Sequence, residues 1–158
     1  MPLQTGDSAP GFNLPNANSA VGENVVSFSN AAGANGTLVV FECNHCPYVV
    51  ASVARINAMA TSCQSKGIGF VGINSNDPVM YESDSFEHMV KRAENGMPYA
   101  YLHDATQEIA HAYGAKRTPE FFLFDANHCL VYQGRMDDSP RNPNDATTAE
   151  LSDAIEAM

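Results

Sequence analysis

Cys43-Asn44-His45-Cys46, followed by Pro47, is the segment of this chain best equipped for chemistry. It follows the apolar run Leu38-Val39-Val40-Phe41. Two thiols at x-x spacing, at the end of a strand and the mouth of a helix, close a disulfide with little backbone movement. A helix N-terminus also favours the thiolate over the thiol. Cys43, before the first helical turn, is the expected nucleophile, and Cys46, one turn in, the resolving thiol. An unperturbed thiol near pKa 8.5 is only a few per cent ionised at neutral pH. Lowering it by about two units stabilises the thiolate by about 2.7 kcal/mol and makes it the main form. His45 between the cysteines adds a donor that stabilises the thiolate, hence the reduced form, and makes the disulfide more oxidising.

Other uses of these residues are weaker. Zinc usually takes four ligands from two such pairs, and the second cluster on offer is His128-Cys129, in a predicted hairpin turn. No metal or other bound cofactor is expected, since the dithiol is itself a redox centre. Cys63 falls on the apolar face of a predicted helix and reads as a core cysteine. Cys129 reads as incidental. His88, His103, His111 and His128 read as surface or satisfied residues. Pro47 suits a first helical position, where no N–H is needed. Tyr48 either flanks the dithiol or packs. Arg135 with Asp137 and Asp138 reads as a solvated loop or a local ion pair.

The elements that must hold the dithiol follow from pattern. Thr37–Glu42 is apolar and β-branched, as in a strand buried on both faces. Val49, Val53, Ile56, Ala60 and Cys63 recur at steps of four, three, four and three, one face of a helix over 46–66. Ile68–Ile73 is the next buried strand. Asp84 and Glu87 predict a capping box for a helix to about Asn95. A short strand over Ala100–His103, a helix from Asp104 to Tyr113, a strand Glu120–Phe124, a turn at 125–128 and a return strand Leu130–Gln133 follow. Thr147 and Glu150 predict the cap of a last helix. Two short strands, Phe12–Leu14 and Val25–Phe28, joined by an Asn-rich connection, precede all of this. Residues 31–36 read as loop. The order predicts an α/β fold: a mixed central sheet with helices on both faces and an N-terminal β-hairpin extension, in one domain over 1–158.

Composition agrees. The 158 residues suit one core. Apolar residues make up 44% and charged ones 16%, with net charge −10 and only eight Lys and Arg. That balance argues against nucleic acid or an anionic membrane as partner. No run approaches 18 apolar residues. The opening Met1-Pro2-Leu3-Gln4-Thr5-Gly6-Asp7 lacks a basic and an apolar stretch, so no signal peptide is expected and a cytoplasmic location is. Four cysteines are too few for a disulfide scaffold.

Thr118-Pro119, directly before the strand Glu120-Phe121-Phe122-Leu123-Phe124, completes a second motif. With the Cys-x-x-Cys it makes the chain resemble the thioredoxin superfamily. In that superfamily the matching proline is cis and faces the dithiol, leaving a carbonyl edge for a substrate backbone. Phe41 to Val49, Thr118-Pro119-Glu120, Phe124-Asp125 and Gly134-Arg135-Met136-Asp137-Asp138-Ser139 together look like the peroxiredoxin-like thioredoxin group, the AhpC/TSA or redoxin-domain proteins. The likeness runs from Gly6-Asp7-Ser8-Ala9-Pro10 to the last helix. It implies a thioredoxin-like fold and a thiol–disulfide oxidoreductase, with Thr118, Pro119, Asn44 and Tyr48 on the substrate side. Partners are then a protein or small-molecule disulfide and a recycling reductase. Two departures stand out. Thioredoxins proper carry a buried acid behind the dithiol, whereas this strand is apolar and Glu42 is the only nearby carboxylate. Peroxiredoxins place Thr or Ser three residues before the reactive Cys, but Cys43 precedes Cys46 at that spacing and Val40 precedes Cys43. A thiol-dependent peroxidase is therefore the alternative, and a metal-binding or partner-docking module a third reading.

Overall fold

The central element of the computed structural model is the strand run that precedes the dithiol. Residues 3–42, 44, 47–76, 84–94, 96–115, 119–134 and 150–157 are described, without the side chains of 47–52 and 152. β1 (Asn13–Pro15) and β2 (Val25–Ser27) form an antiparallel hairpin, and α1 (Phe28–Ala31) follows. Then come β3 (Gly36–Phe41), α2 (Pro47–Ser65), β4 (Ile68–Asn74), α3 (Phe86–Glu94), β5 (Ala100–His103), α4 (Glu108–Tyr113), β6 (Glu120–Phe124), β7 (Leu130–Gly134) and α5 (Glu150–Ala157). The second sheet has the order β5-β4-β3-β6-β7. β3 pairs parallel with β4 and antiparallel with β6, and β4 pairs parallel with β5. β6 and β7 close an antiparallel hairpin.

Every residue of β3 is buried, which is why the run reads as continuous rather than alternating. Its side chains still alternate between two cores. Leu38 and Val40 join Ile56, Ala60 and Cys63 of α2, Met89 and Ala93 of α3, and Leu151 and Ile155 of α5. Val39 and Phe41 join Phe28 of α1, Tyr113 of α4, Phe122 and Phe124. Helices therefore cover both faces. Tyr113 sits edge-on to Phe41 and Phe122 at 5.3 Å each. Such pairs add about 1 kcal/mol beyond the area they bury.

The Asn-rich connection between β1 and β2 shields the edge strand. The Asn16 side chain accepts from the Tyr101 N–H at 3.1 Å and donates to the carbonyls of Val21 and Glu23. Asn18 donates to the carbonyls of Met97 and Tyr99. An edge that would otherwise invite another chain is thus closed by this protein's own amides.

Three local readings change. Phe28 does not extend β2; Ser27 and Asn30 form a capping box that starts α1 instead. Asp84 does not cap α3. The Ser85 Oγ accepts the His88 N–H at 3.4 Å in that role, and the Asp84 carboxylate turns inward. The helix expected from Asp104 starts later, at Glu108 with Gln107 in the N-cap position, while the Asp104 carboxylate accepts from the N–H groups of Ile109 and Ala110; Gly114 closes α4 at φ 72°. Thr147 lies outside the described residues.

Candidate active site

β3 ends at Phe41 and α2 begins at Pro47, so the segment 42–46 is the strand-to-helix junction. The Glu42 N–H donates to the Ile73 carbonyl at 2.9 Å, carrying the parallel ladder one residue past β3. On the other side Phe41 pairs with Glu120. One step beyond that pair stand Glu42 and Pro119. The head of β6 is thereby brought beside the residue that precedes Cys43. Pro119 and Asn44 are half-buried. Cys43, His45, Cys46 and Thr118 lie outside the described residues, as do Arg135, Asp137 and Asp138. Tyr48 belongs to the first turn of α2, with its side chain outside the description.

Beneath this junction is a polar network that sequence reading did not assemble. Glu42 is fully buried. Its Oε2 accepts from the Tyr99 hydroxyl at 2.7 Å, and its Oε1 lies 2.5 Å from the Arg92 Nη2. A buried carboxylate needs such partners. The Arg92 guanidinium also sits 4.9 Å from the Tyr101 ring centroid and donates to its hydroxyl at 3.2 Å. Tyr101 in turn donates to the Asn44 side-chain oxygen at 2.8 Å. Asn74, at the end of β4, donates to the Tyr101 hydroxyl and to Asp84 Oδ1. Asp84, also fully buried, accepts the Asn44 backbone N–H at 2.5 Å and the Asn76 side-chain amide at 3.0 Å. Gly72 leaves the room. A Cβ there would stand 2.6 Å from Glu42 Oε2 and 2.8 Å from the Tyr99 ring.

The protonation pattern follows. Burial raises the Tyr99 and Tyr101 hydroxyls above the usual phenol range, and the Glu42 charge adds to it. Both stay donors at any working pH. Burial by itself would lower Arg92, but the Glu42 charge, the Tyr101 and Tyr99 hydroxyls and the hydrogen bond to Glu42 together outweigh it, so the guanidinium stays charged. Glu42 is thus a buried acid that directly follows the end of β3 and precedes Cys43 in the chain. Two signals point to the network: Glu42 ending an apolar strand, and Arg92 lying i+3 from buried Met89 on the same face of α3.

Burial pushes the Cys63 thiol up to about 11, so it is an inert core thiol. Cys129 is half-buried and free. His88 Nδ1 is 2.8 Å from the Ser85 Oγ, and the His128 ring packs edge-on against Phe28. His103 departs from its reading. It is only 9% exposed, its Nε2 has no hydrogen-bond partner among the described residues, and burial lowers its pKa from 6.5. Among the described residues no group of three His, Cys, Asp or Glu could hold a metal ion, and no helix is long and apolar enough to cross a membrane.

No curated protein matches the chain. Solved structures do. An uncharacterized conserved protein from Geobacillus kaustophilus is 39% identical, with 98% of this chain and 84% of that one covered at a TM-score of 0.87. A hypothetical protein from Sinorhizobium meliloti 1021 is 35% identical over 99% of this chain and 85% of its own, at 0.88. A protein described as a thiol:disulfide interchange protein DsbE, from Chlorobium tepidum, is 23% identical over 98% and 97%, at 0.74, a likeness of fold. Residues 4–151 match the Redoxin family, and with that span covered, this chain belongs to the Redoxin family and is a redox protein of thioredoxin-like fold.

Proposed function

We propose that the protein is a thiol–disulfide oxidoreductase whose redox centre is the Cys43–Cys46 dithiol. The observation that supports it best is the junction itself: the central strand delivers residues 42–46 to the start of a 19-residue helix, with Pro119 one register step from Glu42. Cys43 thiolate attacks a substrate disulfide. The substrate S–S bond breaks, one substrate sulfur leaves and takes a proton, and a mixed disulfide forms. Cys46 thiolate then attacks the Cys43 sulfur and expels the second substrate thiol. Two electrons pass to the substrate, and the enzyme is left as a disulfide for a reductase to restore. His45 tunes the thiolate, while Thr118, Pro119, Asn44 and Tyr48 form the substrate side.

Changing Cys43 to Ser should abolish reduction of insulin disulfides. Full activity in that variant removes Cys43 from the mechanism. Stopped-flow mixing with hydrogen peroxide checks the peroxidase alternative. Rapid, saturable sulfenic acid formation would reverse the ranking.

A further inference from the structure

We propose that the cavity at the end of the sheet away from the dithiol junction binds a small organic amine, an ammonium head on an apolar body. The inference goes beyond the oxidoreductase reading and does not depend on it. The room arises from unequal strand starts. β4 begins at Ile68, whereas β5 begins at Ala100, opposite Val71. The first residues of β4 therefore have no register partner in β5. On their other side Gly69 and Phe70 pair with Thr37 and Leu38, near the start of β3. The cavity thus lies at the opposite end of the central strand from residues 42–46. It measures about 420 Å³, within the range of small-molecule pockets. Two glycines belong to its wall. A Cβ on Gly69 would run into the Ala31 carbonyl oxygen. Gly22 sits at φ 84°, where a side chain is strained. Both positions therefore stay bare backbone, and no side chain from them fills the space.

The lining sets the ligand class. Val21, Val26, Ala31, Phe70 and Ala100 supply apolar walls. Three polar side chains join them. Glu23 is exposed and is the charged member, and among the described residues no Lys, Arg or His lines the cavity. Lys66, two residues past Gln64, stands outside the lining. Gln64 gives its Nε2 to the Pro98 carbonyl at 2.7 Å, which leaves the acceptor Oε1 for a ligand. Asn30 is engaged through Oδ1, which accepts from the Ser27 N–H and hydroxyl, and its Nδ2 suits an acceptor on the ligand. Gln64 also belongs to the last turn of α2, a 19-residue helix with no basic residue in that turn. The carbonyl end of a helix carries partial negative charge. A carboxylate, an amide oxygen and a helix C-terminus favour a cation and oppose an anion. The walls ask for a carbon body, whose burial supplies most of the affinity. The ion pair at the exposed rim adds a smaller, selective share. Phosphates, nucleotides and carboxylates are disfavoured by the same rim.

The test titrates the whole isotope-labelled protein with phenethylamine, phenylethanol and phenylacetate, and follows its amide chemical shifts. The three probes share one body and differ in carrying a cationic, neutral or anionic head. Phenethylamine should saturate with a Kd of about 1 mM, its shifts centred on Val26, Phe70 and Ala100. Phenylethanol should bind about two- to fivefold more weakly, and phenylacetate more weakly still. Glu23→Gln, at an exposed position, should bring the amine to the level of the alcohol and leave the alcohol where it was. Absence of saturation by about 10 mM overturns the proposal, as do shifts centred elsewhere. An alcohol or a carboxylate that binds as tightly as the amine overturns it too, and so does a folded Glu23→Gln protein that keeps the full preference for the amine. Should that variant not fold, salt decides on the unmodified protein. The preference should vanish at about 1 M salt, and a preference that persists there overturns the ion pair. None of these titrations involves Cys43 or Cys46, so failure of the dithiol reading leaves them unchanged.

Discussion

Glu42 is the residue on which the site's stability turns. It is buried beside the candidate nucleophile, and its charge is balanced by Arg92 and Tyr99. Removing one partner of a buried ion pair leaves an uncompensated charge and costs about 3–5 kcal/mol. Arg92→Met should therefore destabilise the fold by about 3 kcal/mol in urea unfolding. Adding Glu42→Gln should recover much of that loss, because the lone charge goes too. A double variant as unstable as Arg92→Met would show that packing of the arginine stem, not its charge, is what matters. Cys63 makes the contrast. It has the same atom as Cys43 but sits on the inner face of α2, and burial raises its pKa to about 11. Environment, not residue type, separates a reactive thiol from a filler.

Element by element, periodicity was a good guide and capping was a partial one. The run ending at Phe41 and the repeat ending at Cys63 predict β3 and α2 to within a residue or two of Gly36–Phe41 and Pro47–Ser65. Both signals are strong because each is long and nearly uninterrupted. The Asp84–Glu87 pattern for α3 failed for a physical reason. A carboxylate can satisfy helix N–H groups or a distant amide, and here the distant amide of Asn44 wins while Ser85 takes the cap. Ser85→Ala should then cost about 1 kcal/mol by losing that cap, measured as a drop in chemical-denaturation midpoint with unchanged slope. A loss near zero would leave α3 held by packing alone. The four-residue α1 was not anticipated, because Phe28 reads equally well as the end of a strand and the start of a helix.

Across the whole molecule, stability should depend on pH through His103. Burial lowers its folded-state pKa below 6.5. As pH falls through 6.5 the unfolded chain takes up a proton there and the folded chain does not. Stability is thus full above that point and declines below it, by at most about 1.4 kcal/mol per pH unit for one proton. His103→Phe, which keeps a ring against Phe86, should flatten that decline between pH 7 and pH 5.5 in urea titrations. An unchanged slope would assign the acid sensitivity to other groups. Sequence alone determined the order of elements (apart from α1), the Cys-x-x-Cys motif between a strand and a helix, Thr118-Pro119 ahead of β6 and the family likeness. These are local signals, carried by spacing and by neighbours in the chain. Only the tertiary structure decided that Glu42, Arg92, Tyr99, Tyr101, Asn74 and Asp84 form one buried network around Asn44. Those residues come from β3, β4, β5, α3 and the segments beside them. Their partnership depends on strand register and side-chain direction in three dimensions, which no local pattern encodes.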